Sequence, residues 1–281
     1  MRWRGREQSR NIEDRRRAGG ARGGVRVGGA GLLAIVVIGY FLGIDVTPIL
    51  NGTLPIGNDA PTRITEADQQ AAEFVSVTLK DTETVWSEIF RREGRSYRPV
   101  TLVLFKGATT SACGGATEAT GPFYCPNDGK VYLDTAFFTL LSRQFGASGD
   151  FAAAYVVAHE VAHAVQDELG ILSQVNAVRQ RASEVESNAL SVRIELQADC
   201  LSGVWARNAA DRLGTLEEGD IAEAMNAAAQ IGDDILQRNA GRRPVPDSFT
   251  HGTSAQRQRW FGEGYRTGDR NSCDTFGAAE P

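Results

Sequence analysis

AHEVAHAVQ, residues 158–166, decides the reading of this chain, because it sets His159 and His163 four residues apart with Glu160 beside the first. On an α-helix, positions i and i+4 lie on one face, so both imidazoles can reach one point. Two imidazoles on one face with an adjacent glutamate form the pattern by which a helix holds zinc and sets a general base beside it. The chain has only three histidines, and two of them are here. The bland alternative is a surface helix with two solvated histidines. The neighbours oppose it: Ala154–Ala158, Val161, Ala162 and Val165 make the helix apolar nearly all round, which predicts burial. A buried helix carries two histidines and a glutamate only if something satisfies them.

A catalytic zinc usually takes three protein ligands and keeps one position open. An HExxHxxGxxH pattern is excluded, since Gln166 and Leu169 stand where its glycine and third histidine would be. Asp167 lies one turn beyond His163. Ligands at i, i+4 and i+8 would spread over about 12 Å of helix axis, too far to close round one ion. The better candidate is Glu195 in IELQADC, residues 194–200, with Asp199 at i+4 on the same face. That pair suits a metal ligand plus a carboxylate that receives the far N–H of a ligating histidine; an ordinary acidic helix face is the alternative. The remaining histidine, His251, lies in DSFTHGTSAQRQRWF, residues 247–261, in a loop before a helix that Thr253 or Ser254 could cap. It has two readings of equal weight: a donor to the oxyanion of a carbonyl under attack, or a structural histidine bonded to loop carbonyls. Arg257 and Arg259 are read as solvated or salt-bridged.

Taken together, HEVAHAVQ, ELQADC, GPFYCPNDGKVYLD (121–134) and HGTSAQRQRWF (251–261) resemble the bacterial neutral zinc metallopeptidase family, which is membrane-anchored and similar to gluzincins. RWRGREQSRNIEDRRR, residues 2–17, resembles that family's cytoplasmic start. The resemblance covers nearly the whole chain and is weakest over 20–65. It implies a zincin-like fold, one zinc ion on His159, His163 and Glu195, and Glu160 as general base.

At 281 residues there is room for one good-sized domain plus appendages. Residues 1–26 hold nine arginines against Glu7, Glu13 and Asp14, and read as a basic cytoplasmic tail. Gly28–Ile44 follows, 17 residues without a charge and rich in Leu, Ile, Val, Phe and Gly. That is at the short end for a spanning helix. A transmembrane anchor over 27–48 is expected, uncleaved because no small-x-small site follows it cleanly. The positive-inside rule then puts 1–26 in the cytoplasm and the rest outside a bacterial cytoplasmic membrane. Residues 49–64, with Gly52, Pro55, Gly57 and Pro61, read as a linker to a domain over 65–281. Beyond residue 26 there are 21 basic and 32 acidic side chains, a poor surface for nucleic acid. Four cysteines allow three pairings. Cys113–Cys125 and Cys200–Cys273 are favoured, the first closing a local loop and the second tying the tail to the ligand segment.

Thr65 reads as an N-cap, followed by two helices broken near Asp81. Strands are expected over 99–105, 121–125 and 130–133, the last two joined through Asp128-Gly129. Helices are expected over 135–145, 149–169, 174–208 with a break, 217–239 and 253–264. This is an α+β pattern, mostly helical with a small sheet, behind a transmembrane helix. The expected function is a membrane-anchored zinc peptidase acting on peptides or proteins, one of whose strands could bind substrate along its edge. Two rivals stand: a zinc-stabilised module that binds a peptide or envelope partner without turnover, and a hydrolase of a non-peptide amide.

Overall fold

A computed structural model of the chain describes residues 1–17, 63–117, 120–139, 141 and 149–281. Its elements are β1 (Ile12–Asp14), α1 (Glu66–Arg92), β2 (Thr101–Phe105), β3 (Ala108–Ser111), β4 (Gly114–Thr117), β5 (Phe123–Cys125) and β6 (Lys130–Asp134), followed by six helices. These are α2 (Asp150–Glu168), α3 (Ile171–Arg179), α4 (Glu184–Leu213), α5 (Asp220–Gln230), α6 (Asp233–Asn239) and α7 (Ser254–Thr267). The result is a mostly helical α+β domain with two small sheets, which fits the zincin-like domain that the resemblance implies.

The sheet order is β1-β2-β6-β5, with β1–β2 and β2–β6 parallel and β5–β6 an antiparallel hairpin. Alternation along the central strands explains the layering. Leu102, Leu104, Val131 and Leu133 face the main helical core. Val103, Phe105 and Tyr132 face the other way, into a minor core with Ala116 and Cys125. The antiparallel ribbon β3–β4 supplies Ala116 to that core. The Cys113–Cys125 disulfide ties the end of the ribbon to β5. The Cys200–Cys273 disulfide ties the C-terminal segment to α4.

Helix α1 is one unbroken helix of 27 residues, capped by a Thr65–Asp68 capping box, and not two helices broken near Asp81. A polar residue that would end a solvent-facing helix is here buried against a cation: Arg6 Nη2 donates to Asp81 Oδ1 at 2.6 Å. Burial still pushes the Asp81 carboxyl up to about 6, with Arg6 opposing. The span expected over 217–239 is two helices, α5 and α6, parted at Gly232, where a side chain would collide with the Ser254 backbone.

The expectation of a separate basic tail over 1–26 is corrected for its described part. Residues 1–17 pack on the domain: β1 extends the sheet, Trp3 is buried edge-on to Phe74, and Arg16 is 5% exposed. Arg6, Arg15 and Arg16 have protein partners, while Arg2, Arg4, Arg10 and Arg17 are exposed. Among the described residues no helix is long and apolar enough to cross a membrane. The anchor expected at 27–48 lies outside the described residues, as does the linker at 49–64 up to residue 62 and most of the helix expected over 135–145.

Helices α4 and α7 approach closely because glycine faces backbone at their crossing. A Cβ at Gly203 would lie 2.1 Å from Phe261 O, and one at Gly264 would lie 1.8 Å from Cys200 O. By contrast, a Cβ at Gly262 would meet Met225 Cε at an ordinary 3.7 Å. Gly203→Ala should therefore cost about 3 kcal/mol or more, while Gly262→Ala should be neutral or stabilise by up to ~1 kcal/mol. Urea unfolding of the two variants checks this; equal midpoints would refute the close crossing.

Candidate metal centre

Helix α2 runs through the core with nearly every residue from Phe151 to Gln166 buried. It presents His159 and His163 to α4, their rings 4.8 Å apart and nearly perpendicular. From α4, Glu195 reaches between them: Oε2 is 3.1 Å from His159 Nε2 and Oε1 is 3.6 Å from His163 Nε2. The ligand atoms of these three residues lie within 4.8 Å of one another. A second acidic group, Asp150, Asp220 and Glu223, also clusters, and there the Met1 ammonium lies 2.7 Å from Asp150 and 3.2 Å from Asp220.

Whether the first group fits zinc is decided by the far side of each ring. His163 Nδ1 is 2.8 Å from Gln166 Oε1. The Gln166 amide nitrogen donates to Ile194 O at 2.8 Å and to Gln197 Oε1 at 3.0 Å, so its oxygen is the acceptor and His163 Nδ1 must be the donor. That leaves the Nε2 lone pair of His163 facing Glu195. His159 Nδ1 lies 2.9 Å from Asp199 Oδ1, close enough for an ion pair although the N–H points off the hydrogen-bond line. Two imidazoles with anchored Nδ1 atoms and one carboxylate, two nitrogen donors and one oxygen, suit zinc.

The field of the site favours a cation. Burial opposes charge on His159, but the Asp199 and Glu195 carboxylates beside it outweigh burial and push the imidazole up to about 10. Burial would raise Glu195, yet the three nearby histidines hold it far below the usual carboxylate range. Asp199 is likewise held low, burial being outweighed by Arg257 and His159. Glu160 goes the other way. Burial raises its pKa, with the two histidines opposing.

Asp199 is itself gripped. Arg257 Nε donates to Oδ2 at 2.8 Å and Nη2 to Oδ1 at 3.0 Å, while the Tyr155 hydroxyl donates to Oδ1 at 2.5 Å. Arg257 is therefore salt-bridged and 2% exposed, whereas Arg259 is on the surface with Glu280 O. His251 is 27% exposed and close enough for its charge to act on Glu195; its Nδ1 lies 3.3 Å from Asp233 Oδ1 and 3.0 Å from Thr250 Oγ1. Asp233 Oδ2 accepts the backbone N–H groups of Thr250, His251 and Gly252, which fixes the loop. Burial lowers the His251 pKa and Asp233 raises it, with a net rise.

Sequence reasoning did not assign roles to Gln166, Tyr155 or Tyr124, and left the partner of Arg257 open. Gln166 did carry a signal, a wholly buried amide on an apolar helix three residues after a ligand. Asp167, rejected as a ligand, accepts from the Tyr124 hydroxyl at 2.8 Å.

The chain belongs to the family described as "Putative neutral zinc metallopeptidase", which matches residues 1–276. Among its relatives is the uncharacterized protein YpfJ of Escherichia coli K12, 46% identical over 289 residues and covering 99% of each chain. Another is the uncharacterized protein Rv2575 of Mycobacterium tuberculosis, 43% identical over 216 residues, 73% of this chain and 71% of the relative. No solved structure matches significantly.

If Gln166 sets the His163 tautomer, Gln166→Leu should weaken zinc binding roughly 10- to 100-fold with the fold retained. Competition against a chromogenic chelator measures this; unchanged affinity would remove Gln166 from the site.

Proposed function

We propose that this protein is a zinc-dependent peptidase in which Glu160 is the general base. The observation that carries the reading is the convergence of His159, His163 and Glu195 beside a buried glutamate whose pKa is raised. Zinc, when held by these three residues, would acidify a water and polarise the scissile carbonyl. Glu160 needs a pKa between that of a free carboxylate and neutrality to take a proton and later release it to the leaving amine, and burial moves it that way.

A substrate strand has a place to lie. β5 is an edge of the sheet among the described residues and borders α2. Its Tyr124 is tied through the hydroxyl to Asp167 of α2. A peptide added to this edge would run beside the base, and hydrogen bonds to β5 would hold it extended. His251, kept cationic more readily by Asp233, is the donor for the developing oxyanion.

Two disulfides support residence of the domain outside the cytoplasm. Attachment to a bacterial membrane rests on the apolar composition of Gly28–Ile44.

Glu160→Gln keeps the shape of the side chain and removes the base. It should lower cleavage of a diverse peptide pool by at least ~10²-fold while leaving one zinc bound per chain by elemental analysis. Retained cleavage would remove Glu160 from its role. Loss of zinc as well would show that the substitution disturbed the ligands instead.

A further inference from the structure

We infer that residues 1–17 and the domain that begins at residue 63 lie on the same side of any membrane the chain meets, so that the apolar run Gly28–Ile44 does not carry the chain across a bilayer in a single pass. This inference is independent of the zinc chemistry.

The contacts that require it lie at several depths in the domain. Strand β1 is hydrogen-bonded in register to a central strand: Ile12 pairs with Leu102, Glu13 with Val103 and Asp14 with Leu104. Trp3 is 8% exposed, its ring centroid 5.5 Å from that of Phe74. Ser9 Oγ and Asn11 Nδ2 donate to Glu83 Oε1 at 2.5 and 2.8 Å. Arg6 is the cation against buried Asp81. Near the point where the chain leaves, Arg16 Nη1 donates to Asp68 O at 2.7 Å, in the first turn of α1. Undocking this segment would strip β2 of a strand, expose Trp3 and leave Asp81 in the core without its cation.

A single pass is incompatible with these contacts. The hydrocarbon core is about 30 Å thick, and one crossing would put Arg16 and Asp68 on opposite sides of it. The charge argument for a cytoplasmic start also weakens. The positive-inside rule counts arginines free to face the cytoplasm, yet Arg6 and Arg16 are bonded within the domain, and Arg15 donates to Glu13 and Thr110 O. The family match and the likeness to YpfJ reach these first residues too, as expected of a segment that is part of the domain.

The test is labelling of the full-length protein in cells with a membrane-impermeant maleimide. The four native cysteines are paired in two disulfides and stay silent. Gln8→Cys reports on the N-terminal segment and Val178→Cys, at a side chain 57% exposed, on the domain. The expected result is one pattern for both: labelled in intact spheroplasts, or protected in both until permeabilisation. Gln8→Cys protected where Val178→Cys is labelled, or the reverse, overturns the inference. Arg10→Cys is a second exposed reporter should the first fold poorly. A cross-link gives an independent reading, because Ser9 N donates to Ser76 O at 3.0 Å and Ser76 Oγ to Ser9 O at 3.2 Å. Ser9→Cys with Ser76→Cys should form a reducible bond within one chain. Its complete absence in a folded, zinc-binding protein would count against the docking.

Discussion

The carboxylate of Asp199 is the point on which the centre of this molecule depends. It projects from α4, takes a two-pronged grip from Arg257 of α7, accepts the hydroxyl of Tyr155 from α2, and lies against the Nδ1 side of His159. Three helices thus meet at one buried charge. Such a pair adds little stability on balance, because removing both ions from water is costly, but breaking it strands a charge in the core at about 3–5 kcal/mol. Its contribution is therefore geometric. The planar fork of an arginine allows few orientations of the carboxylate, and that carboxylate allows few orientations of the imidazole. The glycines at the α4–α7 crossing belong to the same device, since they bring α7 near enough for Arg257 to reach.

The sheet does a second piece of positioning from the opposite side. β5 has only three residues, yet it is held three ways: by pairing with β6, by the Tyr124 hydroxyl on Asp167, and by the Cys125 disulfide to the ribbon. A short edge strand left alone would fray. Pinned at its middle and its end, it keeps its place beside α2. The two carboxylates of the centre are treated oppositely as a result. Glu195 lies among imidazoles and is held ionised, while Glu160 faces burial and is pushed toward protonation. Two carboxylates from facing helices therefore divide into one suited to hold a cation and one suited to exchange a proton.

What could be read in advance follows the range of the interactions. The histidine pair, its apolar helix, the Glu195/Asp199 spacing and the Asp128-Gly129 hairpin are encoded within a few residues, and the structure brings the first four side chains together. Both disulfide pairings were legible because one closes a short loop and leaves two cysteines for the other. The missed features have partners far along the chain. β1 is three residues in an arginine-rich stretch, with neither length nor alternation to mark it, and exists because β2 offers an unpaired edge. The continuity of α1 through Asp81 depends on Arg6, 75 positions earlier. The role of Arg257 depends on Asp199, 58 positions earlier. A composition count sees nine arginines near the start and reads electrostatics at a membrane; geometry shows that some of them are internal counter-ions.

The parallel pairing of β1 with β2 also has a consequence for biosynthesis. β1 leaves the ribosome before the other described elements, and its partner residues 102–104 emerge only after the apolar run and α1 have followed. The loop that must close to join them is long, and the free-energy gain comes only once β2 is itself in place. The residues of β1 therefore stay uncommitted until much of the domain has been made. Folding of such a chain does not run strictly in sequence order: β1 is among the last elements to find its place.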